Sequence, residues 1–210
     1  MDGVIVDSEG RHAQAFFEVV REIGYGETHG VDWADYVGRS DHELWVDFVA
    51  RHQPAQSLER LLALKRDRVL AILHRDQPVY AGLVELVEQL ARVCCLGLAS
   101  GSDRQVVEAV LSLRDLRRHF SATVTASEVQ RGKPAPEIFL RTAETLGVAP
   151  VDCWAIEDSK PGVTAALAAG MRVIAITNTH PANELRAATV VVETYAEIER
   201  LLMSGQGPRV

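Results

Sequence analysis

At 210 residues, with 47% hydrophobic and 24% charged positions, the chain has the composition of a globular protein able to build a core, not of a disordered tail, a collagen or a membrane protein. Its length suits one generous domain, or one domain carrying a second as an insertion. The 22 basic and 29 acidic residues leave a formal net charge of −7, which argues against binding nucleic acid or anionic membrane through bulk charge and favours small-molecule chemistry.

Asp2, Asp7 and Glu9 stand where a secretory signal needs positive charge and then an apolar stretch. No run approaches the about 18 apolar residues of a membrane span, since Arg172 interrupts the best candidate. The expected location is the cytoplasm. Cys94, Cys95 and Cys153 are odd in number, lack C-x-x-C spacing and lie in apolar strand-like runs, so they read as buried thiols in a reducing compartment.

Residues 9–75 carry three helical patterns and almost no strand-like alternation. Ser40 with Glu43 forms a capping box, and Ser57 is a suitable N-cap for the run Leu58, Leu61, Leu62, Val69, Leu73. Phe16, Phe17, Trp33 and Trp45 sit at helical spacing and are expected in a core. Pro54 marks a turn, and Gln77 with Pro78 marks the end of the segment.

From about Tyr80 onward, short β-branched runs alternate with helical patterns, the signature of a parallel sheet covered by helices. Strands are expected at 94–99, 123–125, 153–156, 173–177 and 190–192. Helix ends lie between them. Ser102 with Gln105 reads as a capping box, Pro136 opens a helix that Gly147 closes, and Ser159 with Pro161 opens one that Gly170 closes. Arg114, Arg117 and Arg118 read as a solvated helix face, and 204–210 as a frayed tail. The expected fold is α/β: a Rossmann-like parallel sheet core, 1–8 and 79–210, with an inserted α-helical domain at 9–78.

In such a sheet, ligands sit at the carboxyl ends of the strands. Three polar groups fall there. Ser100, Gly101 and Ser102 end one strand and begin a helix, offering hydroxyls and free amides to a phosphate, or simply a helix cap. Lys133 lies in the proline-stiffened Gly132-Lys-Pro-Ala-Pro136 loop, where an ammonium can meet an anion or remain on the surface. Only Lys65, Lys133 and Lys160 are lysines, so this residue type is not filler here. Glu157 and Asp158 end an apolar strand in two adjacent carboxylates, the hard oxygen ligands Mg²⁺ requires, or else acids capping the next helix.

The fourth group is Met1-Asp-Gly-Val-Ile-Val-Asp-Ser8. Asp-Gly-Val-x-x-Asp-Ser, Ala-Ser-x-Ser, Gly-Lys-Pro-x-Pro and Glu-Asp-Ser follow one another at successive strand ends. In that order they resemble the haloacid dehalogenase-like superfamily of phosphohydrolases, in the branch similar to β-phosphoglucomutase and phosphoglycolate-type phosphatases, over nearly the whole chain. The resemblance implies that Ser100, with the amides of Gly101 and Ser102, holds phosphate, and that Lys133 steadies phosphate and nucleophile. It implies that Glu157 and Asp158 bind Mg²⁺, and that Asp2 is the general acid/base whose carbonyl also ligates the metal. It makes the helical insertion a cap that closes over substrate, with His12 and Arg39 as substrate contacts. The implied partner is a small phosphorylated metabolite, with no nucleic acid and no membrane, handled by a monomer or weak dimer.

One departure stands out. The nucleophilic aspartate of the resemblance falls two positions before Asp2, which precedes Met1, so nucleophile and first core strand are expected upstream, with the first strand truncated here. Asp7 is a poor substitute, because the pattern puts it on the flap leading into the cap. Losing a central strand would leave backbone groups unpaired at about 1–3 kcal/mol each, in a protein about 5–15 kcal/mol stable. The leading expectation is a Mg²⁺-dependent phosphohydrolase acting on a sugar phosphate or phosphoglycolate through an aspartyl-phosphate. The alternatives are a β-phosphoglucomutase-like phosphomutase, or an inactive relative that binds phosphate or Mg²⁺. Carbon–halogen hydrolysis fits less well, because it has no need of the Glu157–Asp158 pair.

Overall fold

The computed structural model describes residues 1–36 and 40–204. The chain divides into an α/β unit, Met1–Asp7 with Val79–Val210, and a helical unit, Ser8–Pro78.

The helical unit is built from α1 (Glu9–Glu22), α2 (Asp41–His52) and α3 (Leu58–Asp76). Local sequence sets their ends. The Ser40 hydroxyl accepts the Glu43 N–H at 3.2 Å while the Glu43 carboxylate accepts the Ser40 N–H at 3.0 Å, closing the capping box at the start of α2. Ser57 accepts the Arg60 N–H at the start of α3. Gln53 and Gln77 end α2 and α3 in the left-handed region, at φ 47° and 44°. Apolar residues three to four positions apart bring Phe16, Val19, Leu44, Trp45, Phe48 and Leu61 into one buried cluster, with Phe17 and Trp33 partly buried against it.

The α/β unit runs α4 (Leu83–Leu90), β1 (Leu96–Ser100), α5 (Arg104–Ser112), β2 (Phe120–Thr125), α6 (Glu137–Leu146), β3 (Trp154–Glu157), α7 (Lys160–Ala168), β4 (Arg172–Ile176), α8 (Ala182–Leu185), β5 (Val190–Val192) and α9 (Tyr195–Met203). All strand pairs are parallel. Val173, Ile174, Ala175 and Ile176 of β4 have no exposed surface, as a strand covered on both faces requires. Gly97 lets α6 lie directly on β1: a Cβ there would come within 2.7 Å of Thr142 and 2.9 Å of Leu146.

The parallel α/β core is the expected one, and its strands form two sheets, β1-β2 and β3-β4-β5, with no pairing between them among the described residues. Several other expectations are corrected. Residues 1–6 make a tight turn in which the Met1 carbonyl accepts the N–H groups of Val4, Ile5 and Val6. β1 starts two residues later than expected, since backbone bonds from the end of α4 continue to Cys94. Cys95 is therefore exposed and Cys94 only half-buried, with burial raising the Cys94 thiol pKa. Arg114, with Asp115, adopts a left-handed backbone and not a helix face. Arg117 pairs with Glu108 at 3.4 Å and Arg118 with Glu88 at 3.3 Å. Residues 205–210 of the expected frayed tail lie outside the described residues.

Candidate active site

β1 ends in Ser100, whose side chain is buried at 2% exposure. The chain turns at once, and the Ser102 N–H donates to the Ser100 hydroxyl at 3.2 Å. The Ser102 hydroxyl donates to a carboxylate oxygen of Asp2 at 2.6 Å. The expected Ser102 cap of α5 is thus corrected: Asp103 is the N-cap, accepting the Gln105 N–H at 2.9 Å. Ser102 is free for Asp2 because its neighbour does the capping. A side chain at Gly101 would meet nothing within 4 Å, so the backbone between the two serines faces open space.

β3 ends in Glu157, and Asp158 follows; they are 4% and 7% exposed. Lys133, in the loop before α6, forms an ion pair with Glu157, and its ammonium lies 5.0 Å from the centre of the Phe139 ring. The Ser159 hydroxyl donates to the other Glu157 oxygen at 3.3 Å. Burial alone would raise the Glu157 pKa. The charges of Lys133 and of the Met1 α-amino group, with hydrogen bonds from Lys133 and Ser159, outweigh it and hold Glu157 below the usual carboxylate range. For Asp158, burial and then the Glu157 charge prevail, and its pKa is raised despite a hydrogen bond from Thr179. The lysine lowers both acids but reaches mainly Glu157, so burial and the Glu157 charge still prevail at Asp158.

Glycines hold both acids from behind. A Cβ on Gly162, in the first turn of α7, would overlap the Glu157 carboxylate, and one on Gly3 would overlap that of Asp158. Gly162→Ala is expected to destabilise the protein by about 1–3 kcal/mol through overpacking. A shift of the urea midpoint with unchanged m-value is the check.

The donors available to a metal are all oxygens: the carboxylates of Glu157 and Asp158, and Asp2 with its carbonyl. That set of hard oxygens, with two of the acids buried side by side, suits a hard dication such as Mg²⁺. Among the described residues no three His, Cys, Asp or Glu side chains already converge as a cage.

His12 belongs to the helical unit. Its Nδ1 lies 3.1 Å from the ammonium of Lys65, which is fully buried, pairs with Asp41 at the start of α2, and sits 5.8 Å from the centre of the Trp33 ring. Arg39 lies outside the described residues. Sequence reasoning missed Lys65 as a buried group, although Leu61, Lys65 and Val69 at i, i+4, i+8 place it on the inward stripe of α3. Lys65→Ala is expected to cost about 2–5 kcal/mol and Lys65→Met under about 1.5, because the buried stem does most of the packing. Thermal denaturation of both variants separates stem from charge. Asn178 and Thr179, in the loop after β4, were also missed; both touch the site's backbone or carboxylates.

A model of the haloacid dehalogenase-like hydrolases matches residues 1–170. Hexitol phosphatase B of Escherichia coli O157:H7 is 32% identical over 206 residues, covering 94% of this chain and 91% of that protein. The fructose-1-phosphate phosphatase YqaB of Escherichia coli K12 is 30% identical over 174 residues, covering 83% and 92%. The crystal structure of β-phosphoglucomutase from Clostridium difficile superposes with TM-score 0.79 at 22% identity, covering 94% of this chain and 89% of that one, and shares the fold.

Proposed function

This chain belongs to the haloacid dehalogenase-like hydrolase family, and we propose that it is a Mg²⁺-dependent phosphatase of small phosphorylated metabolites, of the sugar phosphate or phosphoglycolate type. The observation that carries the reading is the grouping of an acid–hydroxyl pair, Asp2 with Ser102, and an acid–ammonium pair, Glu157 with Lys133, in one α/β unit at the carboxyl ends of parallel strands.

Phosphoryl transfer asks mainly for positioning and for neutralising charge on the transferring oxygens. In this reading the Ser100 hydroxyl and the amides of Gly101 and Ser102 hold the phosphoryl oxygens. Lys133 supplies positive charge to the phosphate. Asp2 hands its proton to the leaving alkoxide as the phosphorus–oxygen bond breaks, then takes a proton from the water that releases phosphate from an aspartyl-phosphate. Mg²⁺, held by Glu157, Asp158 and the Asp2 carbonyl, would supply further charge neutralisation. The nucleophile of this reading is the aspartate that the resemblance sets two positions before Asp2.

The test is release of inorganic phosphate by the protein carrying all residues its gene encodes, from hexitol phosphates, fructose 1-phosphate and phosphoglycolate, with Mg²⁺ and with a chelator. Release that the chelator abolishes is expected. Isomerisation of a sugar phosphate without phosphate release, dependent on a sugar bisphosphate, would overturn hydrolysis in favour of a mutase. An in-frame codon other than Asp before Met1 would overturn the nucleophile assignment.

A further inference from the structure

The turn at residues 1–6 that carries Asp2 spends its own hydrogen bonds inward: Met1 accepts from Val4, Ile5 and Val6, and Gly3 donates to Val6. The carbonyls of Gly3 and Val4 are left for partners elsewhere, and both residues are buried. Two side chains from distant parts of the α/β unit take them. The Asn178 amide, in the loop after β4, donates one N–H to the Gly3 carbonyl at 2.8 Å and the other to the Tyr195 hydroxyl at 2.8 Å. The Tyr195 hydroxyl donates in turn to the Val4 carbonyl at 2.8 Å.

The donor directions are fixed throughout. A flipped Asn178 would set its oxygen against the Gly3 carbonyl, and the Tyr195 proton is committed to Val4, which leaves its oxygen to accept from Asn178. Tyr195 is itself held in place. It is 8% exposed, begins α9 directly after the N-cap Thr194, and that cap is closed by a full capping box with Glu197.

We propose that Asn178 and Tyr195 are positioning residues for Asp2. They clamp the two carbonyls that follow Asp2, and so fix where its carboxylate meets the Ser102 hydroxyl. The C-terminal helix α9 thereby becomes a structural part of the site, through the bond of the Tyr195 hydroxyl to the Val4 carbonyl. The inference rests on the phosphatase reading for its catalytic consequence, while the clamp itself is independent of that reading.

The experiment compares Asn178→Ala and Tyr195→Phe with the parent protein by amide hydrogen exchange and steady-state kinetics. Tyr195→Phe removes a single oxygen, which keeps the test open if Asn178→Ala fails to fold. Exchange in residues 2–7 is expected to speed up about tenfold or more, with β3 and β4 unchanged, and kcat to fall about 10- to 100-fold with KM within about threefold. Unchanged exchange in residues 2–7 of both variants overturns the clamp. So does a loss of protection spread equally over β3 and β4, which would make the two residues general stability elements. Faster exchange with unchanged kcat in an active parent overturns the positioning role. A parent without phosphatase activity whose variants still loosen residues 2–7 overturns the functional reading and leaves the clamp standing.

Discussion

Asp2→Asn is expected to lower kcat about 10²- to 10⁴-fold on alkyl phosphates, the range over which a positioned acid or base contributes. The substitution keeps the shape of the side chain, and its amide oxygen still accepts from the Ser102 hydroxyl that now lies 2.6 Å from Asp2. What is lost is the proton. A leaving alkoxide needs that proton, whereas nitrophenolate departs without one, so p-nitrophenyl phosphate should lose far less than a sugar phosphate in its first step. Phosphate release measured on both substrates checks this. An equal loss on the two would mean that Asp2 acts through its negative charge or its hold on Ser102, not as an acid.

Much of the fold is local, and what is local is legible. The capping box of α2 and the Ser57 cap of α3, and Pro136 and Gly147 around α6, follow from residues close to one another in the chain. Strand starts were harder to place. Val93, Cys94 and Cys95 look β-forming, yet the tail of α4 claims their backbone, with the Cys94 N–H bonded to the Leu90 carbonyl at 2.9 Å. Conversely, β2 starts at Phe120 although Ser121 is a weak strand former, because Leu96 of β1 pairs with Phe120.

The candidate site divides in the same way. Ser100, Lys133, Glu157 and Asp158 could be singled out because each stands at a strand end or in a stiffened loop before a helix. The role given to Ser102 was wrong locally because two adjacent residues, Ser102 and Asp103, are both good caps; a bond to a residue 100 positions away decides between them. Asn178 and Tyr195 could not have been found at all, since their bonds to Gly3 and Val4 span 175 and 191 positions. Lys65 was readable from its place on the apolar stripe of α3.

Lys133→Met is expected to reduce kcat/KM about 10²- to 10³-fold, by the measure of removing one donor to a developing anion, and to destabilise the fold by up to about 3–5 kcal/mol, the usual result of removing one partner of a buried ion pair. Glu157 is 4% exposed and its carboxylate is packed against Gly162, so it has little room to turn towards water. Methionine keeps the aliphatic stem near the Phe139 ring, which isolates the charge from the packing. The 17% exposure of the Lys133 side chain places the destabilisation towards the lower end, because water already shares in solvating the pair. Adding Glu157→Gln should restore most of the stability, since a neutral amide no longer demands a counter-charge, while activity stays low. Urea denaturation of parent, single variants and double variant gives the coupling directly. A dication taking up the charge that lysine leaves should also raise Tm more in Lys133→Met than in the parent when Mg²⁺ is added. Destabilisation below about 1 kcal/mol, the range of exposed pairs, would show that Lys133 does not support Glu157, and its place in the site would then have to rest on phosphate alone.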